Sequence, residues 1–422
     1  MKTKNNAHRF AALLDSEKWS GISIPILSVI LSLITASIML LIMGKDPFVA
    51  FLSFLQGSGF VPKASYGGGS GMLTDFFQFL SILAPMLLAS LGFIMAFRSG
   101  LFNIGISGQM LASGFLATAL IGYTDMNSWL AKPLVLLIGI VVGGLLGAFV
   151  GYLKYRFNVH EVVSTIMLNY IISYLTGFFI NDRFADPLTR SMKICSEQAR
   201  LTWDNVTIGG VYCSVPLGIF VALAVVFVVK FIFDKTVFGF ELRAVGSNPT
   251  CAKYTGIKVG RRIVVALMLS GMLAGLAGVT YYCGYFNTIV PKTLPSLGYD
   301  AIAVALLGNS SPIGCIFASV LITIFQNGSN YMSSTLGVAK EIASLITGIL
   351  LLFSACGGYF RYLAHRKLEA AKDAELAKKN EAAKAVEQSA APETPADEPP
   401  AENTEAPAES SAVPDDGGKE EK

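Results

Sequence analysis

Ser214-Val-Pro-Leu-Gly-Ile-Phe-Val-Ala-Leu-Ala-Val-Val-Phe-Val-Val-Lys-Phe-Ile-Phe233 carries a single charge, Lys230, in its whole length and is closed by Asp234. An α-helix rises about 1.5 Å per residue, so a run of this size spans a hydrocarbon layer of about 30 Å. Hydrocarbon offers backbone N–H and C=O groups no partner, so such a run satisfies them internally as a helix rather than a strand. Comparable runs recur at Ile22–Met43, Phe76–Phe97, Leu101–Gly122, Pro133–Leu153, Val162–Ile180, Ile263–Cys283 and Ile342–Tyr359. The 422 residues are 53% hydrophobic and 14% charged, and the mean hydropathy is +0.57. Soluble domains carry about 25% charged residues, so the expected fold is an all-α polytopic membrane protein.

A further apolar stretch, 299–325, is interrupted by Gly308-Asn309-Ser310-Ser311-Pro312-Ile313-Gly314. Glycine and proline together break a helix, so a broken pair of short helices is expected there. The first run is too long for a signal-peptide core and lacks a small-x-small cleavage site after it, so it reads as an uncleaved helix. The whole reading gives about ten transmembrane helical segments, organised as a cytoplasmic N-terminus over 1–21, a membrane domain over 22–360 and a tail over 361–422.

Lys and Arg orient the crossings. The basic N-terminus, the loop with Lys154 and Arg156, and the 234–262 loop with six basic residues alternate as cytoplasmic, while in the external 181–213 loop Asp182, Asp186, Glu197 and Asp204 offset four basic residues. Residues 361–422 hold nine Lys and Arg against fifteen Asp and Glu, which leaves the body at +9 and the tail at −6. From about Leu368 the tail becomes rich in Ala, Glu and Lys and then in Pro and Ser, a composition that stays disordered because it cannot bury enough apolar surface. A helical start over 366–388 is compatible with it.

Glycine marks helix contacts: Gly139, Gly143, Gly147 and Gly151 fall at every fourth position, and Gly271/Gly275 and Ala274/Gly278 repeat the spacing. Small-xxx-small patterns let transmembrane helices approach closely. The six cysteines show no metal-ligand or redox spacing. Cys195 and Cys213 share the external loop, as a disulfide or as two buried thiols.

The chain has no G-x-x-x-x-G-K-[ST] phosphate loop, no HExxH and no catalytic triad spacing within a helix, so an enzyme is not expected. Ion-coupled carriers place charge deep in the membrane, whereas Arg98, Glu161, Asp300 and Glu341 fall at the ends of the expected helices. The driving force is then expected in a partner. Within the 234–262 loop, Asn248 suits an N-cap, Pro249 the first helical position and Gly256 a left-handed stop, which specifies a short helix over 249–255 too short to cross. It reads as a surface loop or as a rigid element docked in another protein. Neutral amides inside the apolar runs, Asn103, Gln109, Asn169 and Asn309, are candidates for a polar solute path or for interhelical hydrogen bonds.

Three stretches carry a family resemblance: Gly100-Leu-Phe-Asn-Ile-Gly105 with Gly108-Gln109, Leu242-Arg-Ala-Val-Gly-Ser-Asn248 through Tyr254-Thr-Gly-Ile257, and Tyr299-Asp-Ala-Ile-Ala-Val-Ala-Leu-Leu-Gly308 with Pro312-Ile-Gly314. Over most of 75–360 the chain resembles inner-membrane permeases of the ribose, branched-chain amino acid and nucleoside class of ABC importers. The run Glu161–Ile171 looks most like the nucleoside branch, although Ser107 stands where that branch commonly has glutamate before Gly-Gln. The resemblance implies a permease subunit in a bacterial plasma membrane. It implies that a partner ATPase using ATP and Mg couples through Arg243, Gly246, Asn248, Tyr254 and Gly256. It further implies a second permease chain, different rather than identical, and a solute-binding lipoprotein outside. This chain is expected to bind no cofactor or metal and no nucleic acid. A simple-sugar permease, an ion-coupled carrier, a passive channel and a scaffold are the alternatives.

Overall fold

The computed structural model describes residues 20–66, 70–193, 195–286 and 288–337, together with scattered positions between 345 and 370. The chain divides after Leu368. The expected crossing Ile342–Tyr359, the N-terminal residues before 20 and the tail lie outside the described stretches.

The described chain is mostly helical. It opens with α1 (Ser20–Ile42), which a 117° bend separates from α2 (Pro47–Gly57). The α2 start has a physical signal that the hydropathy pattern hides: the Asp46 carboxylate accepts from Phe48 N at 2.8 Å and Pro47 sits at the first helical position. There follow α3 (Met72–Phe97), α4 (Ile106–Leu120), α5 (Ser128–Phe157) and α6 (Glu161–Phe179), the last running into a π turn, Ile180–Phe184. A hairpin, β1 (Thr202–Ile208) and β2 (Val211–Pro216), precedes α7 (Gly218–Lys235), α8 (Val237–Ser247) and α9 (Pro249–Tyr254). Then come α10 (Val259–Thr280) with a π turn at Tyr281–Tyr285, α11 (Leu297–Leu307) and α12 (Pro312–Leu336). By length and composition five of these can cross a bilayer: α3, α5, α6, α10 and α12. The bent α1–α2 pair makes a possible sixth.

Three expected segments are corrected. Ser214–Pro216 belongs to β2, because this stretch pairs with Thr202 and Trp203, so the helix begins only at Gly218. The hairpin itself closes through Gly209-Gly210, both at positive φ (60° and 80°), the geometry a two-residue hairpin turn demands. The Leu101–Gly122 run does not form one crossing. Gly100 turns the chain at φ +74°, Asn103 takes the Gly105 N–H, and the helix that starts at Ile106 has 15 residues, about 22 Å at 1.5 Å each. The 299–325 stretch does break at Gly308–Ser311, where Asn309 and Ser310 are left-handed, but its second helix is not short: α12 runs 25 residues to Leu336.

The core is built around α3, whose membrane window is 94% buried inside the protein. The α5–α10 contact is the closest, and glycine explains it. A Cβ on Gly143 would collide with the Gly271 carbonyl, one on Gly147 with the Leu267 carbonyl, and one on Gly275 with the Gly139 carbonyl. The fourfold spacing of small residues is therefore the seam between these two helices. Gly271→Val is expected to force them apart at a cost of roughly 1–3 kcal/mol. The measurement is the thermal midpoint of the purified protein in detergent, with Gly284→Ala, whose added carbon meets its nearest neighbour at 4.0 Å, as the tolerated control.

Candidate functional site

Two broken helices begin inside the protein rather than at its edge, and their first turns meet. Ser107 Oγ, in the first turn of α4, donates to Pro295 O at 3.0 Å just before α11, and a Cβ on Gly298 would strike that hydroxyl. The turn-and-loop segment 100–105 leads into this junction and is held by amides. Asn103 is fully buried; its Oδ1 accepts from Gly105 N at 2.9 Å and its Nδ2 donates to Gln109 Oε1 at 3.1 Å and to Ser270 Oγ of α10 at 2.9 Å. Asn169 of α6 accepts from Gly108 N at 2.9 Å, donates to Ile104 O at 3.0 Å and reaches the Tyr299 hydroxyl at 3.4 Å. Asn169 thereby caps an N–H at the start of α4 that the helix leaves unsatisfied. Gly105 and Gly108 allow the approach, since a Cβ at Gly108 would meet Asn169 Cα at 2.9 Å.

Three of the four expected solute-path amides are thus brought together, but they hold backbone and each other. Among the polar atoms of these three amides, Gln109 Nε2 is buried without a hydrogen-bond partner. Asn309 stands apart from them: it is exposed in the turn between α11 and α12, held in the left-handed conformation. The sequence reading put Asp300 at a helix end, and the structure carries it in the first turn of α11, beside the junction with Ser107, with its Oδ2 accepting from Gln326 Nε2 of α12 at 2.6 Å.

At the basic end, the short helix forms as its residues dictate. Asn248 Oδ1 accepts from Cys251 N at 3.0 Å, and Gly256 stops the chain at φ +87°. Every residue from Asn248 to Gly256 except Ala252 is exposed, Tyr254 to 88%. The preceding helix α8, which the sequence reading left as loop, lies against the body with Leu242 and Val245 buried. Its Glu241 pairs with Arg262 of α10, whose guanidinium lies over the Phe238 ring at 5.1 Å. The five expected coupling residues therefore divide. Asn248, Tyr254, Gly256 and Arg243 face outward, while Gly246 points in, where a Cβ would collide with the Arg98 carbonyl and lie 2.8 Å from Gly100 N.

Arg98, which the sequence placed at a helix end, does follow the last residue of α3, but its partners were not foreseen. Its Nε donates to Ser310 O, in the α11–α12 turn, at 2.9 Å, and its guanidinium lies 4.9 Å from the Phe233 ring centre at the end of α7. Burial, and then the nearby Arg243, lower its pKa, with Asp234 acting in the opposite direction. The signal in the sequence was its place, one residue past an apolar run and two before Gly100.

At the far end of α3, Thr74 Oγ1 donates to Tyr212 O of β2 at 2.8 Å, and a shallow polar pocket is lined by Ser128, Lys132, Glu197, Thr202, Trp203 and Asp204. Cys195 and Cys213 are buried free thiols. Cys195 lies against Cys283 instead, and Cys213 Sγ reaches Val211 O at 3.7 Å.

A bundle of apolar helices, five of them long enough to cross a bilayer, is the architecture of a multi-pass membrane protein. The chain belongs to the family described as branched-chain amino acid transport system / permease component, whose model matches residues 76–355. It is 31% identical to the nucleoside ABC transporter permease protein NupB of Lactococcus lactis subsp. cremoris, over 81% of this chain and 92% of that one. It is 33% identical to the guanosine ABC transporter permease protein NupP of Bacillus subtilis, over 82% and 97%, and 27% identical to the guanosine permease protein NupQ of the same organism, over 64% and 88%.

Proposed function

We propose that this chain is the permease subunit of an ATP-driven importer that moves a nucleoside across a bacterial plasma membrane. The observation that carries the reading is the likeness, at 31% and 33% identity over most of both chains, to permeases named for nucleosides and guanosine. In this reading α9 docks in an ATPase subunit that uses ATP and Mg, with Asn248, Tyr254 and Gly256 shaping the docked element and Arg243 beside it. The basic end, the N-terminus and the tail face the cytoplasm, supported by the placement of Lys and Arg. The chain then has about ten membrane segments, broken helices included.

The end with the hairpin and its polar pocket faces outward and receives an extracytoplasmic binding lipoprotein. A second, different permease chain completes the path, a view supported by the likeness to both NupP and NupQ of one organism. Asn103, Gln109 and Asn169 border the path as its frame, and Asn309 lies at its cytoplasmic mouth. Transport proceeds by alternating access, with binding and release of ATP biasing inward-open and outward-open states.

The test is reconstitution of this chain with its partner permease, ATPase and binding protein in vesicles, followed by uptake of labelled guanosine and labelled ribose. Guanosine is expected to accumulate only with ATP, and ribose not at all. Accumulation by this chain alone, without a nucleotide-hydrolysing partner, would overturn the reading.

A further inference from the structure

The amides at the junction of α4 and α11 are fully or nearly fully buried and, Gln109 Nε2 apart, hydrogen-bonded within the frame, which leaves the exposed groups beside them to meet a solute. The open face of α11 shows which. Tyr299 is 41% exposed, Ile302, Ala303 and Leu306 are partly exposed on the same arc, and Asp300 lies at its margin, while Ala301, Val304 and Ala305 turn to the core. Asp300 is a carboxylate inside a membrane-spanning bundle, where an ionisable group is costly and usually functional. Its Oδ2 is engaged by Gln326 at 2.6 Å, and among the described residues no salt bridge reaches it. Asp300 and Gln326 are both only half-buried, so the pair is not sealed within the interior. The Tyr281 ring of the α10 π turn stacks on Phe286 at 5.5 Å.

The geometry points to Asp300, supported by Gln326 and flanked by Tyr299, as the solute-reading group of this permease: it accepts two adjacent hydrogen-bond donors of a neutral solute, such as the vicinal hydroxyls of a ribose or the amide-and-amine edge of a guanine. A carboxylate offers two acceptor oxygens and no donor, so it suits paired O–H or N–H groups and rejects analogues that lack them. A site built to hydrogen-bond a substrate discriminates strongly against the analogue missing that group, because its own polar atoms are left unpaired. This inference rests on the nucleoside reading above and assigns its recognition step.

The experiment uses the complete reconstituted importer with saturating binding protein and compares uptake rates of guanosine, 2′,3′-dideoxyguanosine and inosine. The wild-type complex is expected to prefer guanosine over one of the two analogues by about tenfold or more. A preference against the dideoxy analogue assigns the hydroxyls, and one against inosine assigns the amine edge. Asp300→Asn, which keeps the shape, is expected to bring that ratio close to one while hydrolysis of ATP by the assembled complex persists. Gln326→Leu is expected to lower the same ratio in the same direction, which keeps the test open if the first variant assembles poorly. A uniform fall for all three solutes with the ratio unchanged would show a structural role and overturn the assignment. If the wild-type complex carries no nucleoside at all, the nucleoside reading itself fails, a distinct result.

Discussion

Arg98→Ala is expected to cut ATP-driven uptake by about ten- to a hundredfold, the equivalent of the roughly 1.5–3 kcal/mol carried by a hydrogen bond to a charged group. ATP hydrolysis by the assembled complex should continue. The reason is position. Gly246 of α8 rests on the backbone of Arg98 and Gly100, so in the coupling proposed above a shift of α9 would be handed to that segment. From there the guanidinium passes it to the α11–α12 turn through Ser310, and the chain passes it through Leu101–Gly105 to the Asn103 and Asn169 amides. Removing the side chain leaves α9 and its cap intact but disconnects α11. Arg98→Lys keeps the charge but loses the guanidinium that lies over the Phe233 ring and its fixed fork of donors, so an intermediate loss is expected. Paired measurement of ATP turnover and uptake decides the matter; a parallel fall in both would place Arg98 in assembly instead of transmission.

The second large effect is expected at Asn169. Asn169→Leu leaves Gly108 N and Ile104 O without their partners in a buried setting, at about 1–3 kcal/mol for each unsatisfied group. The two helix starts lose the side chain that fastens them to α6. Thermal midpoint and uptake should fall together, whereas Asn169→Asp, which preserves the acceptor for Gly108 N, should retain more of both. Equal stability of Asn169→Leu and the unaltered protein would show that the junction does not depend on this amide.

Much of this architecture was legible in the residues. Long apolar runs announced α3, α5, α6 and α10, the glycine spacing announced the α5–α10 seam, and Asn248, Pro249 and Gly256 announced α9 with its cap and stop. What stayed hidden has a common cause. Hydropathy averages over a window, so the Leu101–Gly122 run read as one helix although a left-handed glycine and an asparagine side chain cut it after Gly105. The strand character of Ser214–Pro216 arises from its partner across the hairpin, which no local pattern reports. Asp300 was legible as a helix-end charge and does lie in the first turn of α11; what stayed hidden is its partner Gln326, 26 residues on, which only the packing of α12 brings to it. Side-chain partners across helices are a tertiary property that no local pattern carries.

A helix as enclosed as α3 has little lipid against it and almost no freedom to tilt alone. With α4, α7, α10, α11 and α12 all resting on it, α3 is placed as a mast: in the alternating access proposed above, the stroke would fall to the elements around it.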